Sequence, residues 1–254
     1  MLLKRIIPCL LLTDEGLVKT KNFRDPKYVG DPINAVKIFS EKEADEIIIL
    51  DIGATKKNKI NYSLLSNIFS ECFVPITYGG GINSIEDAKK IINLGAEKIC
   101  LQSSFIENKK LIIELIEYFG SQSVVVSIDI KKNIFSKYKL WNYKNNSFLN
   151  NIDLKKILDD VKKIGVGEII VTDVDKEGTL TGTNKKLIKK LSKNINIPLI
   201  YNGGTNSFKD IKEAFDCGAQ ALAIGSMFVF HGRHNAVLIT YPNDKIKEII
   251  NERS

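Results

Sequence analysis

Histidine is scarce in this chain: His231 and His234 are its only two. Their spacing can place two ligands on one helix face, but no third ligand is evident. No metal site is expected, and both read as loop residues near the end of the last repeat unit. Cysteine is equally thin. Cys9, Cys72, Cys100 and Cys217 lie far apart with no C-x-x-C pair, and three of them fall in or beside apolar runs. They are expected to be reduced core residues of a protein from a reducing compartment. No apolar stretch approaches the ~20 residues of a membrane span. Residues 1–12 carry Lys4 and Arg5 without a signal-type apolar region. A soluble cytoplasmic protein with no membrane partner is the expectation. Clustered charge is missing too. The formal net charge is +7, yet the lysines are scattered over the polar faces of helix-like segments, which excludes a nucleic-acid footprint and leaves small phosphorylated substrates compatible.

What is present is an internal repeat. Residues 74–103, VPITYGGGINSIEDAKKIINLGAEKICLQS, align without gaps with residues 197–226, IPLIYNGGTNSFKDIKEAFDCGAQALAIGS. Upstream, EIIILD ending at Asp51 pairs with EIIVTD ending at Asp173, and RIIPCLLL pairs more loosely with SVVVSIDI. Eight β-branched apolar runs, at 6–12, 47–52, 75–78, 98–101, 124–130, 168–174, 198–202 and 221–224, alternate with amphipathic segments. Runs apolar throughout belong to strands buried on both faces. Serines lead the segments after 84 and 207, and Gly95 and Gly218 close them, as helix caps do. Eight such units in 254 residues predict a single (β/α)8 TIM barrel over 1–254, built from half-barrel repeats of about 1–120 and 121–254. A doubly wound open sheet would carry one ligand crevice. Duplicated glycine loops favour the closed barrel.

Those loops carry the chemistry. Gly79-Gly80-Gly81 follows the third run and leads into a helix, with Gln102-Ser103-Ser104 after the fourth. Gly203-Gly204-Thr205 and Gly225-Ser226 repeat the pattern. A glycine pair at a strand end is often only a turn. Two equivalent pairs at helix starts suit an elongated ligand with a phosphate-like anion at each end. Tyr138, Trp141 and Tyr143 lie in a Lys- and Asn-rich insert, 131–151. They fit a two-stranded excursion over the barrel mouth with an aromatic core better than a stacking platform.

At KRIIPCL, DEIIILDI, YGGGI, FGSQSVVVSID, GEIIVTDVDKEGT and NGG the chain resembles HisF, the cyclase subunit of imidazole glycerol phosphate synthase, over nearly its whole length. The resemblance implies a barrel without cofactor that receives ammonia from a HisH-like glutaminase and acts on a bis-phosphorylated ribulosyl substrate. It assigns one catalytic carboxylate to Asp129. The position of the other holds Leu11, and the repeat independently sets Leu11 opposite Asp129. Asp14, Asp51, Asp173 and Asp175 are further carboxylates, none at the lost position. Phosphate binding is implied for Gly80, Gly81, Gln102, Ser103, Gly178, Gly203, Gly204, Gly225 and Ser226, with Gln102 and Ser103 replacing the usual Asn and Thr. Lys19, Asp51 and Asp175 are implied substrate contacts.

The family's ammonia gate corresponds to Arg5, Glu46, Lys98 and Glu168, all charged here; a structural ion-pair plug is the other reading. The stretches at 28–39 and 227–242 are similar to a HisF-like branch associated with surface-polysaccharide genes, thought to supply ammonia to a sugar amidotransferase. Three readings stay open: an ammonia-handling partner in sugar amidination, a cyclase of histidine biosynthesis, and a non-catalytic glutaminase-binding scaffold.

Overall fold

The computed structural model describes residues 3–150 and 152–251. Eight parallel strands close on themselves: β1 (Arg5–Thr13), β2 (Ile47–Asp51), β3 (Ile76–Gly79), β4 (Lys98–Leu101), β5 (Val124–Lys132), β6 (Glu168–Asp173), β7 (Leu199–Asn202) and β8 (Ala221–Ile224). Each pairs with the next, and β8 returns to β1 with Arg5 opposite Ala221 and Pro8 opposite Ile224. Every apolar run expected from the sequence forms a strand, which establishes the (β/α)8 barrel.

A helix follows each strand: α1 (Pro32–Glu41), α2 (Tyr62–Ser70), α3 (Ile85–Leu94), α4 (Lys109–Phe119), α5 (Leu154–Ile164), α6 (Lys185–Asn194), α7 (Phe208–Asp216) and α8 (Asn243–Asn251). Ser84 caps α3 by accepting from the Asp87 N–H, and Ser207 forms a reciprocal capping box with Asp210 on α7. Gly95, at φ +122°, ends α3.

Burial separates into two layers. Between strands and helices, Phe39, Tyr78, Phe105, Tyr201 and Phe228 are fully enclosed. Each such side chain contributes about 1.5–3 kcal/mol by leaving water. Inside the barrel, Ile7, Cys9, Ile48, Cys100, Val125, Ile170, Ile200, Ala221 and Ala223 form a separate apolar cluster. All four cysteines are free thiols, Cys9 and Cys100 buried and Cys72 and Cys217 partly so.

Three excursions rise from the strands' C-terminal ends. A hairpin of Gly16–Lys21 and Arg24–Gly30 continues from β1. After β5, Tyr138–Asn142 pairs antiparallel with the end of that strand and with Ser147–Phe148. Trp141 and Phe148 meet edge to face at 4.9 Å as the excursion's local core. Phe230–His231 and Ala236–Val237 form the third, which carries both histidines. Among the described residues no three His, Cys, Asp or Glu side chains gather as a metal site, and no helix is long and apolar enough to cross a membrane.

Candidate active site and strand-end ion-pair ring

The loops at the C-terminal ends of the strands surround a cavity open to solvent. Both glycine clusters line it: Gly80, Gly81, Gln102 and Ser103 on one side, Gly178, Gly203, Gly204, Gly225 and Ser226 on the other. Gly80 has φ +137° and Gly204 φ +82°. A Cβ on Gly80 would collide with the Asp51 carbonyl oxygen, and one on Gly204 would lie 2.5 Å from the Gly182 carbonyl. Backbone N–H groups here are therefore unshielded by side chains of their own. Thr205, buried beside the second cluster, has a hydroxyl with no protein partner.

Asp129, on β5, is buried in the cavity wall. Burial pushes its proton affinity up to about 7, although hydrogen bonds from Gln102 and Thr172 favour the charged form; the nearby Glu177 carboxylate pushes the same way as burial. The Gln102 amide nitrogen donates to Asp129, so this side chain serves the carboxylate. Leu11 lines the same cavity, in register with Leu50 on β2 and Val18 on the first hairpin. The wall that the resemblance assigns to a second carboxylate is apolar.

Lys19 is buried and its ammonium donates to the Cys9 carbonyl at 2.5 Å. Burial lowers its proton affinity. A Cβ on Gly225 would lie 2.5 Å from the Lys19 nitrogen; glycine there is what lets this cation stand beside the second loop cluster. Asp51 lines the cavity, but it accepts from the Ala54 N–H at 2.7 Å, capping a short helix, Ile52–Lys57, and from Tyr78 at 3.1 Å. Asp175 accepts from the Lys132 N–H at 2.8 Å and is not among the cavity-lining residues.

Two residues on, Glu177 does line the cavity, buried. Sequence reasoning passed over it, although DVDKEGT placed it in a quoted motif. Its role depends on contacts with the first hairpin that no local pattern encodes. Tyr143 and Phe23, from two excursions, meet edge to face at 5.7 Å across the mouth, and both line it.

At the opposite end of the barrel, Arg5 contacts Glu46 and Glu168 at 2.6 Å each, and Lys98 contacts them at 2.9 and 3.4 Å. The four charges alternate in sign around the strand starts. Thr77 also donates to Glu46. Between this ring and the cavity lies the apolar interior around Ile7, Val125 and Ile170.

The chain matches the histidine biosynthesis protein family over residues 5–235. A Pseudomonas aeruginosa protein provisionally named imidazole glycerol phosphate synthase subunit hisF2 is 44% identical over 246 residues, covering 96% of this chain and 97% of the relative. A Leptospira borgpetersenii protein, provisionally named HisF subunit of the same synthase, is 45% identical over 252 residues, covering 98% and 99%. The imidazole glycerol phosphate synthase subunit HisF of Dictyoglomus turgidum is 34% identical over 254 residues, covering 100% and 97%. With a closed barrel and these matches along nearly its full length, the chain belongs to the histidine biosynthesis protein family as a HisF-type synthase subunit.

Proposed function

We propose that this subunit receives ammonia from a HisH-like glutaminase docked over the strand N-terminal end, and that it serves amidination of a surface-polysaccharide sugar with a sugar amidotransferase as further partner. The observation that carries the reading is the pairing of an intact alternating ring, Arg5, Glu46, Lys98 and Glu168, with an apolar Leu11 in the reaction cavity. A general acid–base pair needs two titratable groups, and leucine moves no proton. The gate is kept where half the ancestral chemistry is gone.

Neutral ammonia crosses an apolar interior far more readily than ammonium, whose desolvation is costly. The cluster from Ile7 to Ala223 suits that passage. Exposed Leu3 and Phe73, on segments that precede β1 and β3, give the docking face apolar contacts. The 44% identity to a relative named hisF2, against 34% to the D. turgidum HisF, fits a branch distinct from the histidine-pathway subunit.

The test is to purify the chain with a HisH-like glutaminase and measure glutamine hydrolysis. Hydrolysis is expected to depend on complex formation and to rise with a bis-phosphorylated ligand. Hydrolysis indifferent to this chain would refute the partnership.

The same reading makes the two glycine clusters phosphate cradles, through Gly80, Gly81 and Ser103 and through Gly204, Gly225 and Ser226. Crystals soaked in phosphate are expected to hold one anion at each. In Gly204→Ala, where φ +82° and the Gly182 carbonyl oppose a Cβ, strain of about 1–3 kcal/mol should empty the second site and spare the first. Crystals with neither site filled would remove the two-ended ligand.

A further inference from the structure

We propose that Glu177 is the positioning carboxylate of this cavity: it latches the first hairpin over the mouth and supplies the counter-charge to Lys19 where β1 offers Leu11. The proposal rests on the reading of the cavity as the reaction site and deepens it.

The latch is visible in four hydrogen bonds between the hairpin tip and the loop after β6. Thr20 donates its hydroxyl to one Glu177 carboxylate oxygen at 2.9 Å, and the Phe23 N–H donates to the other at 3.0 Å. The Asn22 N–H donates to the Glu177 carbonyl at 2.9 Å, and the Asn22 amide donates to the Val174 carbonyl at 2.8 Å. Asn22 and Phe23 both hold left-handed backbone, φ +53° and +63°. Non-glycine residues reach that region at a cost, which these bonds offset. Gly178 fits the same account: at φ +70° it backs directly onto the Thr20 carbonyl, and a Cβ there would collide with that oxygen.

The charge argument is separate. Asp51, Asp129 and Glu177 are the carboxylates among the described residues lining the cavity. Asp51 is committed to its helix cap and to Tyr78. Lys19 is buried and acts electrostatically on Glu177 and on the Cys9 thiol. An ammonium enclosed with no opposite charge would be driven to neutrality. Burial raises the proton affinity of Glu177, and the Lys19 charge opposes that rise; Asp129 takes hydrogen bonds from Gln102 and Thr172 and feels the Glu177 charge. One carboxylate therefore binds the hairpin tip and shares the cavity with the Lys19 cation and with Asp129. Because Phe23 at the latched tip meets Tyr143 across the mouth, releasing Glu177 also unseats the aromatic contact that narrows ligand access.

The test uses the full chain without ligand. In Glu177→Ala, amide hydrogen exchange over 16–30 should rise about ten-fold or more, as for a hairpin losing charge-assisted bonds, while β5 and β6 keep their protection. Glu177→Gln keeps an acceptor for Phe23 and a partner for the Thr20 hydroxyl but removes the charge. It should retain most hairpin protection yet move the Asp129 titration to lower pH, because a like charge has gone. Carbon-13 spectra of aspartate-labelled protein read that midpoint, with Asp129→Asn identifying the signal. If Glu177→Ala does not fold, Thr20→Val tests the latch from the hairpin side, with the same rise expected over 16–30. Unchanged hairpin exchange, a rise spread equally over the barrel, or an unmoved Asp129 midpoint in Glu177→Gln overturns the proposal. None of these readouts involves a glutaminase, so failure here is distinguishable from failure of the amidotransferase reading.

Discussion

Given the bis-phosphorylated ribulosyl substrate and saturating ammonia, the purified chain is expected to turn over at least about 10²-fold more slowly than an authentic HisF cyclase, since one positioned acid or base contributes about 10² to 10⁴-fold. Binding should survive, because the glycine clusters are separate from Leu11. Asp129 keeps its proton affinity near 7, suited to exchange near neutral pH, but it stands opposite a hydrocarbon wall of Leu11 and Leu50. Leu11→Asp tests the idea directly. The new carboxylate would enter the cavity that holds Lys19 and Asp129, and the added like charge would raise the proton affinity of one of the two acids. Activity gained in Leu11→Asp alone would mark a site that has kept its substrate geometry and lost a proton carrier. Wild-type turnover equal to a cyclase would move the chain to histidine biosynthesis. If Glu177→Gln then abolished that turnover, Glu177 would be the substitute base.

The barrel was legible because its strands are buried on both faces. A run such as IIPCLLL at 6–12 is apolar without alternation, and eight strand-length runs with capped helices between leave little choice of topology. The strand-start ring was legible only through the family resemblance: Arg5, Glu46, Lys98 and Glu168 match its gate, whereas Lys4, Asp45 and Glu97 also flank apolar runs and position alone does not single out the four. Less could be read of the cavity. Asp51 carries the right chemistry in sequence, yet both its oxygens are engaged in holding Ala54 and Tyr78, a commitment that no spacing announces. Gly225 is expected from sequence in a phosphate loop, and what the structure shows of it is the room it leaves for Lys19. Glu177 was hidden because its partners, Thr20 and Phe23, are more than 150 residues away in sequence. Contacts of that span come from barrel closure, which brings the loop after β1 against the loop after β6.

The ring itself should be sensitive to loss of a single charge. Glu46 is 1% exposed and takes hydrogen bonds from Arg5, Lys98 and Thr77. Glu46→Gln would leave two cations facing one remaining carboxylate, a change expected to cost about 3–5 kcal/mol in denaturant unfolding, as for other broken buried pairs. Lys98→Met removes the opposite charge and leaves Glu46 and Glu168 sharing Arg5 alone. The double variant should cost less than the two single losses together, since each relieves the imbalance left by the other. Stability alone does not separate a gate from a plug, because both lose the same pairs. The separating quantity is the fraction of glutamine-derived ammonia that escapes to bulk solvent from the complex, measured in the variants that stay folded. A gate predicts that Lys98→Met changes this fraction, because neutral ammonia passes or is turned back at the ring. A plug predicts a loss of stability with the fraction unchanged, and that result would leave the four charges as structure only.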